Sequence, residues 1–65
     1  MRDVGRIDKF LSELGKVWKE KYPDWRFGQL MSNCLGAMYN KHGDFFFYEE
    51  DDFLKYFKEW SNDIQ

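Results

Sequence analysis

This chain of 65 residues has little cysteine, little proline and a small net charge. A single cysteine, Cys34, excludes an internal disulfide, and Pro23 is the only proline. Ten basic and twelve acidic residues leave a net charge of −2, which argues against a basic nucleic-acid-binding surface and against an acidic mimic of nucleic acid. The sequence shows neither a membrane-length apolar run nor a secretory leader. We therefore expect a cytoplasmic protein without a membrane or nucleic-acid partner.

Aromatic residues, in contrast, are abundant. Seven Phe, four Tyr and three Trp make up 22% of the chain. A chain of this size buries only about 60% of its unfolded surface, whereas each ring needs roughly 150–250 Å² of cover. We therefore expect some rings at the surface, where clusters of them typically mark an interface.

The spacing of apolar residues predicts an all-α fold with three short helices in a single domain spanning residues 1–65. The expected helices are residues 4–21, 25–39 and 50–62. Asp3 and Asp24 are the expected N-caps of the first two helices, and Pro23 ends the first. A run of four acidic residues suits the positive end of the third helix dipole.

Residues 45–48, with the sequence Phe-Phe-Phe-Tyr, have no helical spacing and predict a short extended segment. If this segment runs back along the second helix, the acidic run that follows it arrives beside Arg26. We therefore expect an ion pair between Arg26 and Asp51 or Asp52. An extended segment also needs partners for its backbone N–H and C=O groups. Either residues 1–4 or the same segment of a second copy could supply them, and the second option predicts a homodimer.

Three small residues, Gly28, Ser32 and Gly36, follow one another at a spacing of four in the second helix. Such a ridge lets another backbone approach closely. One interpretation is tight packing within the chain, and the other is a groove for a ligand or partner. Gly15 in the first helix suggests a similar close approach.

Two functions fit these patterns. The first is a non-catalytic interaction protein that binds and modulates another protein of unknown identity through exposed aromatics. The candidate contacts are Trp18, Tyr22, Trp25, Tyr56 and Trp60. The alternative is an oligomeric pocket that binds or sequesters a nucleotide-like ligand, with amides for base edges and a guanidinium for phosphate. Its candidate residues are Arg26, Gln29, Ser32 and Asn33, although the two amides could instead bond the extended segment.

Catalytic and metal chemistry find little support in the sequence. Cys34 lies on an apolar stripe, which indicates a buried thiol rather than a nucleophile. His42 is the only histidine and has no second ligand type nearby. Consecutive acidic side chains in a helix point about 100° apart, so they are poorly placed to bind one cation together. We therefore expect no enzyme, no cofactor and no metal site, with a metal-dependent enzyme at Asp51 and Asp52 as the weakest alternative.

Two motifs resemble those of a set of short uncharacterised proteins found in bacterial and bacteriophage genomes. The first motif reads P-D-x-R-F-G-Q-L-x-x-N and comprises Pro23, Asp24, Arg26, Phe27, Gly28, Gln29, Leu30 and Asn33. The second reads F-Y-x-E-D-D-x-L and comprises Phe47, Tyr48, Glu50, Asp51, Asp52 and Leu54. The resemblance supplies no catalytic residues. It implies a bacterial or bacteriophage gene, and for a bacteriophage gene we expect the protein that is bound and modulated to be a host protein.

Overall fold

The computed structural model describes residues 2–63, which form three helices and one short turn. The helices are α1 (Gly5–Lys21), α2 (Phe27–His42) and α3 (Glu50–Asp63). Between α2 and α3 lies a single 3-10 turn, Phe45–Phe47, which we call the aromatic turn. No strand occurs within the described residues. The predicted all-α fold with three helices is confirmed.

Helices α1 and α3 lie side by side and run in the same direction. At their beginnings, Arg6 Nε lies 2.7 Å from Glu50 Oε1. At their ends, Lys21 Nζ donates a hydrogen bond to Asn62 Oδ1 at 2.6 Å. Because the N-terminal ends of the two helices meet and their C-terminal ends also meet, the helices are parallel. Helix α2 is the connection that returns the chain to the start of α1.

The core lies where α1 and α2 pack against α3. Phe57 of α3 is fully buried, and its ring stacks between Phe53 and Trp60 with centroid distances of 5.9 Å on both sides. Phe10 of α1 meets Phe53 edge-on at 5.5 Å. The remaining buried apolar residues come from α1, α2 and the segment between them. They are Leu14, Tyr22, Leu30, Cys34 and Met38. The core is therefore small and built around an aromatic row on α3.

The beginning of α2 differs from the prediction by two residues. The Trp18 indole Nε1 donates a hydrogen bond to the Trp25 carbonyl at 3.0 Å, and the Trp25 N–H donates to the Tyr22 carbonyl at 3.1 Å. These bonds hold Trp25 in the turn that precedes the helix. Arg26, in extended geometry, occupies the N-cap position that we predicted for Asp24.

The end of α2 lies three residues beyond the predicted one. Gly43 has a φ of +87°, a left-handed conformation that favours glycine. Its N–H donates to the Tyr39 carbonyl at 2.9 Å and closes the last turn of the helix. The glycine therefore stops the helix, and the polar residues before it remain helical.

Residues 45–47 are helical rather than extended, and only Tyr48 has extended geometry. The Asp44 carboxylate accepts a hydrogen bond from the Phe46 N–H at 2.9 Å, and the Tyr48 N–H donates to the Phe45 carbonyl at 3.2 Å. These local bonds explain why the segment folds into a turn. They also remove the backbone argument for pairing it with residues 1–4 or with a second copy.

The predicted ion pair of Arg26 with Asp51 or Asp52 was wrong. Among residues 2–63, neither carboxylate lies within 4.0 Å of the Arg26 guanidinium. The acidic run lies beside the beginning of α1 instead, where Arg2 contacts Glu49 at 2.6 Å. The error follows from the direction of α3, because its beginning meets the beginning of α1 and not that of α2. Asp52 has a local role, since its carboxylate accepts a hydrogen bond from the Glu49 N–H at 3.2 Å.

Candidate interaction surface

The five aromatics predicted to contact a partner all pack against the core. Tyr22 is only 5% exposed and lies between Trp25 and Trp60, with ring centroids 4.6 and 5.5 Å away. Trp18, Trp25, Tyr56 and Trp60 are half-buried. Our expectation that these rings are exposed was wrong. Four of them fill the space where the end of α1, the start of α2 and the second half of α3 meet, whereas Tyr56 packs on His42 at the end of α2.

Five other rings remain at the surface. They are Phe27 (53% exposed), Tyr39 (52%), Phe45 (42%), Phe46 (80%) and Phe47 (77%). The expectation of exposed rings in so aromatic a chain is therefore confirmed, although it applies to different residues. Three of the five are consecutive in the aromatic turn, so the exposure is concentrated in one place.

The aromatic turn borders an open groove of about 330 Å³ beside α1. Ile7 and Leu11 of α1 and Phe45 of the turn supply apolar lining, while Arg6 and Glu49 contribute charge of both signs. Tyr39 continues the surface onto α2, since its ring meets Phe45 edge-on at 6.3 Å. We call this surface the aromatic face. Its members are Ile7, Leu11, Tyr39, Phe45, Phe46 and Phe47.

Helix α2 extends from the aromatic face as an uncharged surface. Residues 27–40 contain no charged side chain, and nine of these fourteen residues are exposed. In the whole chain, 34% of residues are charged. Depletion of charge is the compositional mark of an interface centre. This charge-free stretch is the sequence signal that could have directed attention to α2 and to Tyr39 at its end.

The small-residue ridge of α2 faces open space. A Cβ atom added at Gly28 or Gly36 would meet no other atom within 4 Å, and Ser32 between them is exposed. The interpretation that this ridge packs tightly within the chain was therefore wrong. Gly15 of α1 likewise has nothing within 4 Å of an added Cβ, so no backbone of the described residues approaches it.

The residues predicted for a nucleotide-like ligand do not converge on a pocket. Arg26, Gln29, Ser32 and Asn33 are all exposed at and after the beginning of α2. None of them lines the groove beside the aromatic turn or four further surface grooves of the described residues. Gln29 and Asn33 also make no hydrogen bond to the aromatic turn within residues 2–63. The structure thus leaves these side chains on a convex helical surface.

The reactive side chains of the core have structural surroundings. Cys34 is a free, fully buried thiol, and burial raises its pKa to about 11, so that it stays protonated at neutral pH. The His42 ring stacks on Tyr56 with a centroid distance of 3.7 Å, and its Nε2 lies 3.1 Å from Glu59 Oε1. Within residues 2–63, no three potential metal-ligating side chains lie close enough together to hold an ion.

Glu59 joins the ends of α2 and α3. Its carboxylate lies 2.6 Å from Lys41 Nζ and also contacts His42. The hydrogen bond from Lys41, followed by that from His42, lowers the pKa of Glu59 below its ordinary value. This cluster stabilises the contact between the two helices on the side of α3 opposite α1.

Comparison of the chain with protein-family models, curated proteins and solved structures gave no match. Within residues 2–63, each helix is too short or too polar to cross a membrane. The aromatic face and the charge-free surface of α2 are therefore the features of the described residues that bear on function.

Proposed function

We propose that this chain is a small non-catalytic interaction protein that binds and modulates another protein through its aromatic face. The observation that carries the proposal is the exposure of Phe46 and Phe47, at 80% and 77%. Neither ring belongs to the core cluster. Core packing therefore does not explain the position of these rings. Exposed clusters of large apolar side chains typically serve binding.

The surroundings of the two rings support the same proposal. Their neighbour Phe45 lines a groove with both apolar and charged side chains, and helix α2 offers a long exposed surface without charge. Aromatic anchors next to uncharged, desolvatable surface are the usual arrangement at the centre of a protein interface. Trp18, Tyr22, Trp25, Tyr56 and Trp60 then act indirectly, because they hold the helices that present the face.

The motif resemblance supports a bacterial or bacteriophage source, and hence a partner among bacterial host proteins. The chain has a single cysteine, Cys34, and therefore no internal disulfide, which supports a cytoplasmic location.

Affinity capture from bacterial lysate with matched variants tests the proposal. The variant Phe46→Ser/Phe47→Ser removes two rings without touching the core, and Lys55→Ser changes an exposed side chain of α3 outside both the aromatic face and the charge-free surface of α2. We expect a protein captured by the wild type and by Lys55→Ser to be lost with the double variant. Equal capture by all three proteins, each shown to be folded by circular dichroism, would contradict the proposal.

A further inference from the structure

We infer that the aromatic face binds a second copy of this chain, and that each protomer inserts Phe46 and Phe47 into the groove of the other. The inference rests on the proposed function, because it concerns the same surface, which a second copy covers when no other protein occupies it. It does not depend on pairing extended backbone segments of two copies, for which the helical geometry of the aromatic turn leaves no need.

The aromatic face is complementary to itself. Phe46 and Phe47 are its most exposed rings, and they meet edge-on with centroids 5.1 Å apart. Their neighbour Phe45 lines the groove on the same protomer, together with Ile7, Leu11 and six other residues. Its volume of about 330 Å³ lies within the range of small-ligand pockets and leaves room for a phenyl ring. A twofold axis next to the turn therefore places the rings of each protomer in the groove of the other, as an isologous interface requires.

The exposed area is sufficient for a stable dimer. Tyr39, Phe45, Phe46 and Phe47 together expose about two and a half complete rings, or about 500 Å² at roughly 200 Å² per ring. A standard interface buries about 800 Å² on each partner, of which about 60% is non-polar. The four rings alone thus supply the non-polar area that such an interface needs. Ile7 and Leu11 add to it.

Charge presents little obstacle to self-association. The chain carries a net charge of only −2, so two copies repel one another weakly. Three charged residues line the groove, and each is paired within the protomer: Arg6 with Glu50, and Glu49 with Arg2. Tyr39 continues into the charge-free surface of α2, so contacts beyond the groove need not desolvate charged groups.

Mass measurement in solution tests the inference. Sedimentation equilibrium or light scattering should give about 16 kDa for the wild type, twice the 8.0 kDa of one chain. The double variant Phe46→Ser/Phe47→Ser removes the inserted rings, and Leu11→Lys places a charge in the groove. Each variant should raise the dissociation constant of the dimer by at least about 100-fold, as expected when anchors at the centre of an interface are lost.

A mixing experiment tests the reciprocal insertion itself. The double variant keeps an intact groove, and Leu11→Lys keeps intact rings, so together they retain one of the two ring-to-groove contacts. We expect the mixture to form a heterodimer more tightly than either variant forms a homodimer. Lys55→Ser, the control on the exposed side of α3, should remain a dimer.

The possible outcomes separate this inference from the proposed function. A wild type that stays monomeric at high concentration, or a dimer that survives in both variants, overturns the inference. If that monomer still captures another protein through Phe46 and Phe47, the proposed function stands without it. If the wild type neither dimerises nor captures a partner through these rings, both fail.

Discussion

The indole of Trp18 donates a hydrogen bond to the carbonyl oxygen of Trp25 at 3.0 Å, across the turn that joins α1 to α2. Replacing Trp18 by Phe keeps a ring in place but leaves this half-buried carbonyl without its partner. We expect the free energy of unfolding to fall by about 1–3 kcal/mol. Urea denaturation measures it, with Tyr39→Phe as the control on an exposed ring. Equal stability of both variants would show that the bond does not secure the turn.

Arg6 and Arg26 should differ in their effect on stability. Arg6 pairs with Glu50 where both side chains are about a third exposed, so Arg6→Glu should cost about 1 kcal/mol or slightly more through added repulsion. Arg26→Glu, at an exposed position, should change stability by less than about 0.5 kcal/mol. Thermal melts compare the two, and the swap Arg6→Glu/Glu50→Arg should recover part of the loss. A larger effect at Arg26 would revive the pairing with α3 that we predicted from the sequence.

Truncation of Phe57 should lower the stability of the fold, whereas truncation of Phe46 should affect binding alone. Phe57 is fully buried in the aromatic row of α3, and truncation to Ala should cost about 3–5 kcal/mol, enough to unfold much of so small a domain. Phe46→Ala should leave the melting temperature of the isolated monomer nearly unchanged. Circular dichroism at low protein concentration makes the comparison. A large loss at Phe46 would mean that the ring serves the fold rather than an interface.

The cluster around Glu59 predicts a pH dependence of stability. Because Lys41 and then His42 lower the pKa of Glu59 in the folded state, its contribution is present above the ordinary value of 4.5 and is lost as the pH falls through the lowered pKa. Glu59→Gln should therefore be less stable than the wild type at neutral pH, and the difference should shrink in acid. Melts at several pH values test this, with Glu20→Gln as an exposed control. A difference that persists unchanged in acid would contradict the prediction.

Much of the fold was predictable from the sequence because apolar spacing reflects burial directly. Leu30, Cys34 and Met38 recur along one side of α2, and all three are buried. The end of α2 could also have been read from Gly43, since glycine is the usual residue after a helix. Helix spacing specifies which side of a helix is buried, and it does so independently of the other helices.

The aromatic face could not be derived in the same way, because it depends on how the helices are arranged. Trp18 and Trp60 have the spacing of a stripe, and the sequence does not say whether a stripe meets another helix of the same chain or remains open. The arrangement of the helices decides this, since it places Tyr22 and Trp25 against Trp60 and leaves Leu11 of α1 exposed. The same arrangement explains why Arg6, and not Arg26, meets the acidic run.

The side-by-side direction of α1 and α3 also has a kinetic consequence. Their hydrogen-bonded side chains are 41 to 45 positions apart in a chain of 65 residues. Closing so long a loop costs conformational entropy before any stabilising contact forms, and chains with high contact order fold slowly. A helical hairpin could assemble locally, whereas here α1 gains its main neighbour only after α3 arrives. We therefore expect this chain to fold more slowly than an up-and-down bundle of equal length.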